Sequence, residues 1–187
     1  MKKQKGFNLL ELLITLLIVA VLSTVAVPVF DHSKKNSEMV SNINAMQSTL
    51  MMARSEALSR RDRITICKSA DGLACTKAGN WAQGWVVFVD SDEDATIDME
   101  ELIIKVNPQL KGTDISFVGN SRVDDYISFG LTGRTQTIGG GIQMGTLILC
   151  DDRGFNANAK ALVINAVGRS RVDSAINPSI SFSSCNA

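Results

Sequence analysis

The sequence predicts an α+β fold in which one long N-terminal helix packs on a mostly antiparallel β-sheet head. Three observations lead there. Residues 7–30 form an apolar run carrying a single charge, Glu11. Met39, Ile43, Met46, Leu50, Ala53 and Ala57 then recur at alternating spacings of four and three, which is one apolar stripe of a helix. After Arg63 the chain breaks into short apolar or alternating runs separated by glycine, asparagine and aspartate, the pattern of strands joined by turns.

The chain has 187 residues, 45% of them apolar and 20% charged. That suits one domain with a true core plus an extra element, and excludes a disordered chain. Lys+Arg and Asp+Glu are both 19, so the net charge is zero. Any nucleic-acid role must therefore rest on a local patch rather than on bulk charge.

The N-terminus comes first in the argument. Lys2, Lys3 and Lys5 precede the apolar run and hold the N-terminus in the cytoplasm. The run that follows is long enough to cross a bilayer as a helix. It is too long for the apolar region of a secretory signal peptide and lacks a small-residue cleavage site. An ordinary membrane anchor would have no use for Glu11, because an unpaired charge inside a membrane costs roughly 2–3 kcal/mol. Glu11 therefore needs a partner.

A short basic leader ending in Gly6, then Phe7, then Glu11 at the fifth position after it, resembles the type IV prepilin signature. The resemblance implies cleavage between Gly6 and Phe7 by a membrane prepilin peptidase and N-methylation of Phe7. It also supplies a partner for Glu11, the amino group of Phe7 on a neighbouring subunit. Loss of the leader would leave an acidic mature chain. The implied organisation is a leader at 1–6, a transmembrane and filament-core helix at 7–30, an amphipathic helix at 31–60 and a β-rich head at 61–187. The implied location is the inner membrane, single-pass with the head in the periplasm, and afterwards the pilus at the cell surface.

Within the helix, Pro28 is expected to interrupt the apolar half. The polar stretch 31–38 is the expected membrane exit, and the helix is expected to end near Ser59. The strands are expected at 63–67, 85–89, 102–106, 115–118, 126–129, 146–150, 161–167 and 179–184. The glycines at 139–141 read as a turn. No Gly-Lys-Ser/Thr follows them, so no phosphate loop and no cofactor site is implied. GWVVFVDSDEDATIDMEELIIKV, ISFGLTGRT, LILCDDRG and ALVINAVGRSR occur in that order and resemble the FimT/GspH-type minor pilins and pseudopilins. The FimT branch implies a minor type IV pilin linked to DNA uptake in natural transformation. The GspH branch implies a minor pseudopilin of type II secretion, acting in filament assembly without DNA. CDDRG and the terminal cysteine favour the FimT branch.

Cys67, Cys75, Cys150 and Cys185 all lie beyond the apolar run, on its far side, where disulfides persist. Three pairings are possible. Chain proximity with a turn at Gly72 favours Cys67–Cys75, leaving Cys150–Cys185 to tie the C-terminal segment to the body. Four free thiols would be the plain alternative; zinc is disfavoured because there is no Cys-x-x-Cys and only one histidine, His32. Catalysis is not expected. No base stands near a nucleophile, and the adjacent acids Asp124–Asp125 and Asp151–Asp152 read as solvated loop carboxylates.

Two polar segments remain. Asp90, Asp92, Asp94, Asp98 and Glu101 fall at positions 1, 3, 5, 9 and 12 of a calcium loop of the EF type. Ala95 stands where that loop needs glycine, and strands flank it rather than helices, so a solvated acidic hairpin loop is preferred to a calcium site. The other segment is GRSR. Gly168 turns the chain outward, and in an extended strand Arg169 and Arg171 share one side. Paired guanidinium donors at that separation suit successive phosphates. The segment resembles the GRxR motif of FimT-type pilins, associated there with DNA binding, which implies sequence-independent contact with double-stranded DNA. Arg134, Arg153 and Lys160 are candidate extensions of the patch. The plain alternative is a surface ion pair with Asp173 or Asp151.

Overall fold

The computed structural model describes residues 8–120, 122–180 and 182–185. Gly6 and Phe7, the expected cleavage site, lie outside the described residues. The chain divides into two compact units, Met1–Ser37 and Glu38–Ala187.

Helix α1 runs through Leu9–Arg60, 52 residues. Asn8 caps it: its side-chain oxygen accepts from the Leu10 amide at 3.4 Å. Glu11 lies in the first turn, where a negative charge complements the helix dipole. Leu9, Leu10, Leu12 and the described large apolar side chains after them as far as Phe30 are exposed. The hydroxyls in this stretch bond back to the helix backbone. Thr15 donates to the Leu12 carbonyl at 2.9 Å, Ser23 to Val19 at 2.8 Å and Thr24 to Val21 at 2.7 Å. Contrary to expectation, Pro28 does not interrupt the helix. Proline removes one backbone bond, and the helix continues on the bonds of the neighbouring turns.

In the second unit, the six stripe residues Met39 to Ala57 are each 2% exposed or less. The helix ends at Arg60, and Arg61 takes a left-handed backbone conformation, φ 54°. The strands are β1 Ile64–Lys68, β2 Trp85–Val89, β3 Ile103–Asn107, β4 Ser116–Gly119, β5 Tyr126–Phe129, β6 Gly145–Cys150, β7 Lys160–Ile164 and β8 Ser170–Ser174. They form two four-stranded sheets, β3-β2-β1-β5 and β4-β6-β7-β8, with every neighbouring pair antiparallel. The single expected sheet is thus two sheets that share one core. Ile64, Ile66, Val87 and Phe129 of the first meet Phe117, Leu147, Leu149 and Leu162 of the second and the helix stripe.

The second sheet is covered on its other face too. Val118, Ile148, Cys150 and Ala161 pack there against Ala175 and Ile180, with Phe155 and Phe182 alongside. The Cys150–Cys185 disulfide fastens this cover, and Ser116 Oγ donates to the Cys185 carbonyl at 2.6 Å. The second disulfide, Cys67–Cys75, closes the loop after β1.

Two strand expectations are corrected. The run 161–167 ends as strand at Ile164, because Asn165 opens a turn closed by the Gly168 amide on the Asn165 carbonyl at 3.0 Å. The segment 179–184 forms no strand among its described residues, and β8 lies earlier, at Ser170–Ser174. Ile180 and Phe182 alternate because they cover a face, which needs side-chain alternation but no ladder partner.

Candidate nucleic-acid interface

The β7–β8 hairpin carries GRSR on the free edge of the second sheet. Its turn is held from three sides. The Arg169 amide donates to Asn165 Oδ1 at 2.9 Å, the Asn165 amide to the Arg169 carbonyl at 3.0 Å, and Thr135 Oγ1 to the Asn165 carbonyl at 3.0 Å. Gly168 is required here twice over. Its φ is +77°, and a Cβ on it would sit 2.2 Å from the Gly133 carbonyl oxygen.

Arg169 and Arg171 are both exposed, as is Arg134 on the adjoining Gly133 turn. Arg171 pairs with Asp173 at 2.5 Å, so the plain alternative of a surface ion pair is met at that residue. Asp173 also accepts from Asn177 Nδ2 at 3.0 Å and from the Ser174 amide at 2.8 Å. These bonds, Asn177 first, hold its carboxyl below the ordinary aspartate value. Arg169 makes no ion pair among the described residues.

Arg153 and Lys160 do not extend this patch. Arg153 sits on the β6–β7 loop and gives its guanidinium to Asp151 through Nε at 2.9 Å and Nη2 at 2.6 Å. Asp151 is only 7% exposed, so it is a buried partner and not the solvated loop acid expected from the sequence. Lys160 begins β7 opposite Ser174, whereas Arg171 lies opposite Val163. The hairpin turn is at the other end of β7, about 13 Å along at strand rise.

The structure adds a residue that GRSR does not contain. Met51, Arg54, Ser55 and Leu58 form a second helical stripe, at i, i+3, i+4 and i+7, beside the core stripe. They line one wall of an open groove of 680 Å³, whose other wall holds Val163, Arg169 and Arg171. Arg54 Nη1 donates to the Gly168 carbonyl at 3.4 Å.

The acidic loop brings three of the five calcium-type carboxylates together. Asp90, Asp92 and Asp94 offer oxygens within 4.8 Å of one another. Asp90 is fully buried and is hydrogen-bonded within the protein. It accepts from Thr65 Oγ1 at 2.5 Å, the Asp94 amide at 3.0 Å and the Ala95 amide at 3.3 Å. Glu101 closes the loop by accepting from the Ser91 amide at 2.9 Å and the Asp98 amide at 3.2 Å. Ala95 adopts φ 58° where glycine was missed. The carboxylates of Asp90 and Glu101 thus serve the loop's own amides.

The model of the family "Type II transport protein GspH" matches residues 42–168. The chain belongs to the GspH family. Residues 1–27 of this GspH-family chain also match the prokaryotic N-terminal methylation motif. The structure is similar to the type IV minor pilin FimU of Pseudomonas aeruginosa PAO1, with a TM-score of 0.60 at 20% identity over 80% of this chain and 96% of that one. A second crystal form of FimU aligns with a TM-score of 0.54 at 18% identity over 78% and 98%. No curated protein sequence matches the chain at a significant level. The chain is therefore a type IV pilin-like protein of the FimT/GspH type, and family and fold are those of structural subunits rather than enzymes.

Proposed function

We propose that this chain is a minor subunit of a type IV pilus that binds duplex DNA during uptake. It enters the inner membrane through the apolar part of α1, with its head in the periplasm. A prepilin peptidase cuts between Gly6 and Phe7, and Phe7 is N-methylated. The subunit then joins other pilins at the pilus and cell surface through the N-terminal helix, with Glu11 paired to the amino group of a neighbour's Phe7. The exposed apolar side chains up to Phe30 support this, because a surface of that kind needs lipid or neighbouring helices around it. Mass spectrometry of filaments should find an N-methylated Phe7 start, and Glu11→Ala should insert into membranes yet fail to incorporate. Intact Met1 in filaments would exclude the processing step.

The DNA role is carried by one observation: Arg169 and Arg171 are exposed on a free edge hairpin and line a groove that contains no carboxylate. Full-length protein in detergent should bind duplex DNA without sequence preference and lose affinity steeply with salt, since phosphate contacts release counterions. R169Q/R171Q should remove most of that binding at unchanged thermal stability. A second reading is favoured by the family description: a pseudopilin of type II secretion that primes filament assembly and binds only protein. Equal DNA binding by wild type and double variant, or none by either, would select it.

A further inference from the structure

We infer, resting on the DNA-binding reading above, that Arg54 on α1 is a third phosphate contact and that one stretch of DNA backbone lies in the groove between α1 and the β7–β8 hairpin. Three guanidiniums, from Arg54, Arg169 and Arg171, line this groove, and no acidic side chain does. The nearest helix carboxylate beyond it, Glu56, is taken by Arg60 at 2.6 Å. The positive charge of the groove therefore has no internal counter-charge except Asp173, which holds Arg171 alone.

Arg54 differs from the other two in having a donor that neither solvent nor protein satisfies. Its Nε is shielded from solvent and makes no hydrogen bond, and its hydrogen bond to Gly168 is long, at 3.4 Å. A guanidinium has five N–H donors, so most of this one's capacity is uncommitted. Its charge is already partly desolvated in the free protein, so an arriving anion gains attraction at little further desolvation cost. Its position is also fixed. The neighbouring Ala53 is fully buried in the core, and Gly168 is wedged against Gly133.

The shape selects the ligand class. At 680 Å³ the groove is too large for a single small anion, and its cations are spread over two elements. Met51, Leu58 and Val163 supply apolar wall between them, which suits the sugar faces between successive phosphodiesters. An acidic segment of a neighbouring subunit is the rival occupant.

The experiment compares full-length wild type, R54Q, R54K and R169Q/R171Q in detergent, titrated with duplex DNA at several salt concentrations. R54Q should weaken binding equally for unrelated sequences and lower the slope of log affinity against log salt by about 0.9, one phosphate contact. R54K should keep the slope. Arginine modification by a phenylglyoxal, mapped by mass spectrometry on the wild type, should be blocked at Arg54 by bound DNA, a readout that does not depend on a variant folding. Unchanged slope in R54Q, or unblocked Arg54, overturns the inference, while loss of binding in R169Q/R171Q would still uphold the DNA role itself. Protection of Arg54 in filaments without DNA would give the groove to a neighbouring subunit and overturn it as well.

Discussion

Arg171 Nη1 donates to Asp173 Oδ2 at 2.5 Å, two residues along the same face of β8, so the strand that offers an arginine to solvent also supplies its restraint. Phosphate binding must displace that carboxylate from Arg171. Asp173→Asn should therefore tighten DNA binding by roughly two- to fivefold, the worth of a surface ion pair. Asp173 is held below the ordinary aspartate value, chiefly by Asn177. The restraint thus persists through neutral and mildly acid pH, and the variant's advantage should be constant there. Retardation assays at several pH values measure it, and an unchanged or weaker variant would count against a phosphate role for Arg171.

The cover over the outer face of the second sheet depends on Cys150–Cys185, which spans 35 residues. Loop closure of that length contributes on the order of 3–4 kcal/mol. C150S/C185S should lower the urea midpoint accordingly and expose Ile148 and Ile180 to a hydrophobic dye. The inner core, which holds no part of this bond, should keep its far-UV signature.

Asp90 gives a pH dependence with a definite sign. Burial pushes its carboxyl above the ordinary value of 3.8, against the bonds from Thr65, Ala95 and Asp94. A group whose pKa is raised on folding adds stability below the unfolded value and loses it as pH rises through the folded value. The share of stability contributed by Asp90 should therefore fall as pH climbs from 3.8, against the opposite slope from the depressed Asp173, and Asp90→Asn should remove that share. The amide oxygen can still serve the Asp94 and Ala95 amides, and its nitrogen can donate to Thr65, whose hydroxyl then turns to Ser128, 3.0 Å away. Denaturation midpoints at a series of pH values check this.

Thr49 is an acceptor shared inside the core: Trp85 Nε1 reaches it at 3.3 Å and Asn107 Nδ2 at 3.0 Å. Its own hydroxyl donates to the Ala45 carbonyl at 2.8 Å. Thr49→Val keeps the shape and orphans both donors, so it should cost about 1–3 kcal/mol. Thr49→Ser keeps the oxygen and should cost less. Chemical denaturation of the pair separates the hydrogen bonds from the lost methyl.

What was legible in the sequence follows from how each element is buried. The helix stripe and β2 announce themselves because Met46, Leu50, Trp85 and Phe88 must be apolar to be enclosed. β8 was missed because it is an edge strand whose only large apolar residue is Val172, so alternation had almost nothing to register on. The tail reads as a strand in sequence because Ile180 and Phe182 alternate over a sheet face. Within the candidate site, Arg169 and Arg171 were readable from their spacing. Arg54 was not, since its contact with Gly168 spans 114 residues. A second stripe beside the core stripe, Met51 to Leu58, was the one signal pointing to it.

Both disulfides join cysteines that are neighbours in chain order, Cys67 with Cys75 and Cys150 with Cys185. On the topology proposed above, a thiol oxidase that meets the head as it crosses the membrane in chain order would pair each cysteine with the next to arrive. That order of arrival alone would produce the bonds seen, so maturation of the head in that compartment would call for an oxidant but not for an isomerase.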